Sequence, residues 1–246
     1  MGLIELQNVS KRYRMHRSRE LLAHKARRIG RASDELMFEA LHDISFRIRL
    51  GERVAIVGGN GAGKSTLLSI IAGVAAPSEG SVRTEGRVGA LLELGTGFHE
   101  DLTGRENIRV NASLLGLTTK QLDRQFDSIV TFADVGEFLD EPLRTYSSSM
   151  AARLGFAVAI HVEPQILVLD EVLGVGDTKF QAKCRERIDE LVAGGVTLLF
   201  VSHVMDAVLA ICDRAIWLRQ GRVVEDGPAA AVIAAYTQTS GPRPPV

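Results

Sequence analysis

The run AIVGGNGAGKSTLLSIIAG, residues 55–73, constrains this chain more than any other. Residues 53–57, RVAIV, read as a short β-rich strand, and after Lys64 the apolar Leu67, Leu68, Ile70 and Ile71 recur at near-helical spacing. Between them Gly58, Gly63, Lys64 and Ser65 fit the spacing G-x-x-x-x-G-K-[ST], in which a loop wraps its backbone N–H groups around the β-phosphate of a nucleotide. Side chains would block so close an approach, and Gly58, Gly61 and Gly63 admit backbone angles that other residues resist. The new helix adds partial positive charge at its N-terminus, where the phosphates sit. Lys64 is expected to reach the β- and γ-phosphates and Ser65 to ligate Mg²⁺, with Asn60, Ala62 and Thr66 completing the nucleotide-binding stretch. A plain glycine turn is the alternative, but it does not require the strand before and the helix after.

A chain of 246 residues can bury a sizeable core as one large domain or two tightly joined subdomains. β-rich runs at residues 3–9, 44–48, 53–57, 166–169, 196–201 and 215–218 alternate with helical patterns, which is α/β patterning with a largely parallel core sheet. From about residue 93 to 162 the pattern turns to helices alone, as in TTKQLDRQFDSIVTFADV, so an inserted helical subdomain is expected there. The formal net charge of -1 gives no nucleic-acid-like excess of base over the whole chain, yet residues 12–31 hold many cations and one acid, Glu20. Their segment RMHRSRELLAHKARRIGR reads as a solvated helix or loop, or as an amphipathic element meeting anionic headgroups or a pyrophosphate-linked lipid. Cys184 and Cys212 read as packing residues in a reducing compartment. No apolar run is long enough to span a bilayer, and MGLIELQN lacks the pattern of a signal peptide.

The run ILVLDE, residues 166–171, ends a buried strand in two carboxylates, at the edge where α/β folds keep their ligands. Asp170 is the candidate for orienting the Mg²⁺ shell and Glu171 for polarising a water that attacks the γ-phosphorus in line. A second such strand, TLLFVSH, ends in His203, which is either a structural strand-end residue or a group reaching the γ-phosphate.

In order and spacing, these pieces resemble the nucleotide-binding subunit of ATP-binding cassette (ABC) transporters over nearly the whole chain. The resemblance implies that residues 58–65 are the Walker A loop, ILVLDE Walker B, GVGD ending in Asp177 the D-loop, and His203 the switch histidine. It implies that Tyr13 stacks on adenine, although a core or surface role also fits that tyrosine. YSSSMAARLGFAVAI, residues 146–160, falls at the place of the family signature LSGGQ: Ser147 and Arg153 match, Ser148 and Ser149 replace two glycines, and Met150 replaces glutamine. Three serines at a helix start are also what N-capping would give. In the family this helix faces the γ-phosphate held by the opposite subunit.

Where the family has a glutamine joining core to helical subdomain, this chain has Glu93, within ALLELGTGFHEDLTGRENI. That segment, with YSSSM and EVLGVGD, resembles the ATPases that export O-antigen, capsule and teichoic-acid-type polymers, and Glu93 is then a further candidate contact to Mg²⁺. Some O-antigen members carry a C-terminal carbohydrate-binding domain, which a chain of 246 residues is expected to lack.

The expected architecture is a P-loop NTPase core with a mainly parallel sheet, an antiparallel β subdomain and an inserted α-helical subdomain. In residue ranges, 1–92 and 163–238 form the nucleotide-binding core, 93–162 the helical subdomain and 239–246 a flexible tail. The expected function is hydrolysis of ATP, with Mg²⁺, to power outward movement of a lipid-linked polysaccharide. The chain would work at the cytoplasmic face of a bacterial plasma membrane, as an ATP-bound homodimer joined to a separate polytopic membrane subunit, without nucleic acid as partner. The competing reading is a soluble cassette ATPase acting on ribosomes or DNA.

Overall fold

The computed structural model describes residues 3–14, 37–91, 97–170 and 176–240. Two sheets organise them. The larger has six strands in the order β5-β6-β7-β3-β8-β9. Its parallel part comprises β5 (Val88–Leu91), β6 (Ile166–Asp170), β7 (Thr197–Val201), β3 (Arg53–Val57) and β8 (Arg214–Arg219), and β9 (Arg222–Pro228) closes one edge antiparallel to β8. The smaller sheet is antiparallel, β2-β1-β4, built from β1 (Ile4–Arg14), β2 (Met37–Ile48) and β4 (Glu79–Thr84).

The interiors of the central strands, such as residues 54–57, 166–169 and 198–201, are apolar because both faces of the parallel sheet are covered. Alternate side chains leave a strand on opposite faces. Along β3, Val54 and Ile56 join the core shared with β1, β2 and helix α1 (Lys64–Ile71), while Ala55 and Val57 join the core packed by helices of the other side. That second layer includes α3 (Thr119–Ala133), α4 (Ser148–His161), α5 (Thr178–Ala193) and α7 (Ala229–Ser240). In the chain between β5 and β6, α2 (Gly104–Leu114) and α3 begin with capping boxes, Thr103 with Glu106 and Thr118 with Gln121, which satisfy backbone N–H groups that a helix start leaves over. In α3 the buried Leu122, Phe126, Ile129 and Ala133 fall on one stripe.

Several features differ from the sequence expectations. β4, β5 and β9 were not expected: β4 and β9 are mostly exposed and polar, and β5 has four residues with a glycine in the middle. β1 and β2 run well past the apolar stretches that announced them, because they pair with each other as far as Arg14 opposite Met37. Arg12, taken as the start of a basic insert, is instead a β1 residue whose guanidinium pairs with Glu79 at 2.7 Å and Glu39 at 3.3 Å. The rest of that insert from residue 15 on, and residues 241–246, lie outside the described residues, while α7 continues through Ser240. Both cysteines are buried, and loss of hydration pushes their thiols up to about 12, which keeps them as protonated packing groups. Among the described residues no helix is long and apolar enough to cross a membrane.

Candidate nucleotide site

The loop after β3 sits at the C-terminal edge of the parallel sheet, and its shape follows from its glycines. Gly58 has φ 153°, and a Cβ there would lie 2.3 Å from the Leu218 carbonyl oxygen. Gly63 caps α1 in the left-handed region, φ 102°, where a Cβ would meet the Ala40 carbonyl at 2.7 Å. No side chain caps the helix start, so its first N–H groups remain available to an anion. The Lys64 ammonium donates to the carbonyls of Gly58 at 2.8 Å and Gly59 at 3.1 Å, folding back over the loop it follows. Leu67, Leu68, Ile70 and Ile71 are buried and anchor α1 against the core.

Strand register brings the other groups to the same edge. Ile56 of β3 lies opposite Val201 of β7, and Val201 opposite Asp170 of β6. The loop thus begins two residues beyond Ile56, His203 lies two beyond Val201, and Asp170 ends a strand about 10 Å away across two strand spacings. Glu171 and Glu93, the expected base and the candidate further Mg²⁺ contact, lie outside the described residues.

A cavity of about 350 Å³ opens here, walled by the loop residues Asn60 to Thr66, by Val201 and His203, and by Phe38 and Ala40 of β2. Asn60, Gly61, Ala62, Gly63, Lys64, Ser65 and Thr66 are therefore gathered with His203 around one cavity. Tyr13 is not a lining residue; its strand partner Phe38 is. Nothing near Phe38 in the sequence marks it, since it stands 20 residues before Gly58 in an unremarkable strand and reaches the loop only through tertiary packing. A wider concavity, about 970 Å³, lies beside Glu5, Arg47 and Arg214, away from the loop. Size alone would favour it, but Glu5 pairs there with Arg47 and Glu52 with Arg214, and the glycine loop does not line it.

The remaining expected residues stand apart from this cavity. Ser147 is the N-cap of α4, its hydroxyl accepting from the Met150 N–H at 3.1 Å, with Ser148 and Ser149 exposed beside it. Asp177 is the N-cap of α5, accepting from the Phe180 N–H at 2.8 Å, and is exposed as well.

The model of the family described as ABC transporter matches residues 41–174, more than half of the chain. The chain is also 48% identical to an O-antigen export system ATP-binding protein, RfbB, of Klebsiella pneumoniae over 241 residues, covering 96% of this chain and 98% of that one. This chain belongs to the ABC transporter family. It is an ATPase cassette of that family, and other relatives agree. The teichoic acids export ATP-binding protein TagH of Listeria monocytogenes serotype 4b (strain F2365) is 40% identical over 237 residues, 96% of this cassette and 70% of that protein. The cassette fold is shared with the solved dimeric ATP-binding cassette MJ0796 in a post-hydrolysis state bound to ADP and Pi. There the TM-score is 0.71 at 22% identity, over 92% of this chain and 98% of that one.

Proposed function

We propose that this cassette is the ATP-hydrolysing subunit of a bacterial exporter that moves a lipid-linked polysaccharide outward across the plasma membrane. The observation that carries this reading is the near end-to-end likeness to an O-antigen export ATP-binding protein, joined to a loop shaped for a nucleotide's phosphates. The likeness to teichoic acid export ATP-binding proteins favours the same class over an ATPase acting on ribosomes or DNA.

In this reading residues 60–66 and the open start of α1 hold the triphosphate, and the Lys64 ammonium shifts from the loop carbonyls to the β- and γ-phosphates. Ser65, in the first turn of α1, and Asp170, at the end of β6, supply the hard oxygen donors that suit Mg²⁺. When bound, Mg²⁺ neutralises charge on the phosphate oxygens. Glu93 remains a proposed further contact.

Glu171 takes a proton from the attacking water as its oxygen bonds to the γ-phosphorus. The bond from that phosphorus to the β–γ bridging oxygen breaks, leaving ADP and phosphate. His203, at the cavity wall, holds the γ-phosphate side of the site. Each site is composite: a second copy of the chain presents Ser147 to Met150 at the start of α4, together with Asp177, to the γ-phosphate. ATP closes the two copies and hydrolysis reopens them, driving a separate polytopic membrane subunit. The cassette works peripherally at the cytoplasmic face, with residues 1–92 and 163–238 as the nucleotide core and 93–162 as the helical subdomain.

The test is deletion and complementation in the source bacterium. Loss of the chain should deplete surface polysaccharide and leave the lipid-linked polymer inside. The intact gene should restore export and Lys64→Ala should not, with purified Lys64→Ala losing ATP affinity on the order of tenfold to a hundredfold, since hydrogen bonds to charged groups contribute roughly 1.5–3 kcal/mol. Normal surface polymer in the deletion strain would exclude this function.

A further inference from the structure

Tyr146 stands immediately before Ser147, at the place of the leucine in LSGGQ, with its ring half-buried against the core built by α3 and α4. A leucine there could fill space but could donate no hydrogen bond. The Tyr146 hydroxyl donates to the Phe138 carbonyl at 2.6 Å, and the two rings meet edge to face with centroids 6.2 Å apart. Burial, together with the Asp140 and Glu141 carboxylates, pushes the phenol above its ordinary value, so it remains a donor at neutral pH.

The carbonyl it reaches is itself held in place. The Gly104 N–H donates to the Glu141 carbonyl at 3.2 Å and the Arg105 N–H to that of Leu139 at 2.9 Å, so the turn after Phe138 is fastened to the start of α2. Position 104 makes room for the phenol by having no side chain: a Cβ there would fall on the Tyr146 oxygen. Past Tyr146 the chain has little other support. Ser147, Ser148 and Ser149 are exposed, and the Ser147 hydroxyl turns back to the Met150 N–H of its own helix. Among the described residues, the Tyr146 hydroxyl is therefore the nearest side-chain hydrogen bond tying the start of α4 to another part of the fold.

We propose that Tyr146 is a positioning residue of the composite site, whose bond to Phe138 holds the start of α4 in the setting that meets the γ-phosphate on a second copy. This inference rests on the reading that Ser147 to Met150 face that second copy's nucleotide. A helix start ordered in advance spares the closing dimer the cost of ordering it. Each dimer contains two such starts. Losing a neutral hydrogen bond at each, about two- to tenfold, multiplies to roughly four- to a hundredfold in the dimer's dissociation constant.

The experiment measures dimer dissociation constants with ATP and Mg²⁺, by light scattering over a range of concentrations of the full chain carrying Glu171→Gln to slow turnover. Adding Tyr146→Phe, which removes only the hydroxyl, should weaken the dimer by that four- to hundredfold factor. The ATP affinity of the dilute, monomeric chain in EDTA should stay within about twofold of its value without Tyr146→Phe, because Tyr146 does not line the phosphate cavity. Gly104→Ala crowds the phenol oxygen and should weaken the dimer too; adding Tyr146→Phe to it should recover affinity, since the crowded atom is gone. An unchanged dimer constant in Tyr146→Phe, an equal loss of ATP affinity in the monomer, or no recovery when Tyr146→Phe joins Gly104→Ala would each overturn the proposal. If Glu171→Gln alone forms no ATP-dependent dimer, the composite-site reading falls, and this inference with it.

Discussion

His161 shows how one residue ties packing to solution conditions. It is 8% exposed in the last turn of α4, with its ring edge-on to Phe132 at 5.3 Å and Nδ1 2.7 Å from the Ala157 carbonyl. Burial, opposed by that carbonyl and assisted by Arg187 and Lys183 of α5, lowers its pKa below 6.5. The unfolded chain therefore takes up a proton near pH 6.5 that the folded chain refuses. This contribution to stability is fully present above pH 6.5 and declines as pH falls toward the lower folded value. We expect the urea midpoint of wild type to drop between about pH 7.5 and 5.5, and His161→Gln to show a shallower drop. At this scale the sequence is readable where chemistry dictates local spacing. Gly58, Gly63, Lys64 and Ser65 must stand at those intervals for one loop to enclose a phosphate. Phe38 obeys no such interval, because only its pairing with Tyr13 and the packing of Ala40 on Gly63 bring it to the cavity.

Among elements, the segments before α2 and before α4 are laced together. The Leu143 N–H donates to the Leu102 carbonyl and the Arg144 N–H to that of Glu100, both at 2.9 Å, and Thr103 bridges Pro142. The Tyr146 hydroxyl donates to the Phe138 carbonyl at 2.6 Å, and only a glycine fits at position 104 beside it, since a Cβ there would lie 2.1 Å from the phenol oxygen. Asn107, fully buried in α2, holds the first of these segments: its amide donates to the carbonyls of His99, Leu102 and Thr103, and its oxygen accepts from the His99 N–H at 2.8 Å. Asn107→Ala removes that donor from those half-buried carbonyls and leaves the His99 N–H without its acceptor. It should cost about 2–3 kcal/mol, read as a lower urea midpoint at unchanged slope. The helices here were legible in advance because apolar stripes are local signals. The edge strands β4 and β9 were not: exposure on an edge removes the apolar alternation that marks a strand. The serines of YSSSM carry a double meaning that sequence leaves open, and the structure shows one half of it, Ser147 capping α4.

Across the whole molecule, the parallel sheet is sealed on both faces, so chemistry is confined to its C-terminal edge, where Gly58, Asp170 and His203 end up in neighbouring strands or loops. The exposed starts of α4 and α5 lie outside that cavity, and in the proposed cycle a second copy brings its own to the nucleotide. In that proposal, closure of two copies over ATP is the step from which transport follows. Glu171→Gln keeps the shape of the proposed base and removes its charge, so turnover should fall by about 10² to 10⁴-fold while ATP stays bound. Ser147→Asp preserves the cap on α4, because aspartate is as good an N-cap as serine, yet sets a negative charge where a γ-phosphate must approach. The decisive measurement is light scattering of the Glu171→Gln chain with ATP and Mg²⁺, with and without Ser147→Asp. The account predicts a dimer that requires ATP and is lost in the double variant, with both proteins melting at similar temperatures; a chain that stays monomeric with ATP bound, or an ATP-dependent dimer indifferent to Ser147→Asp, would contradict it.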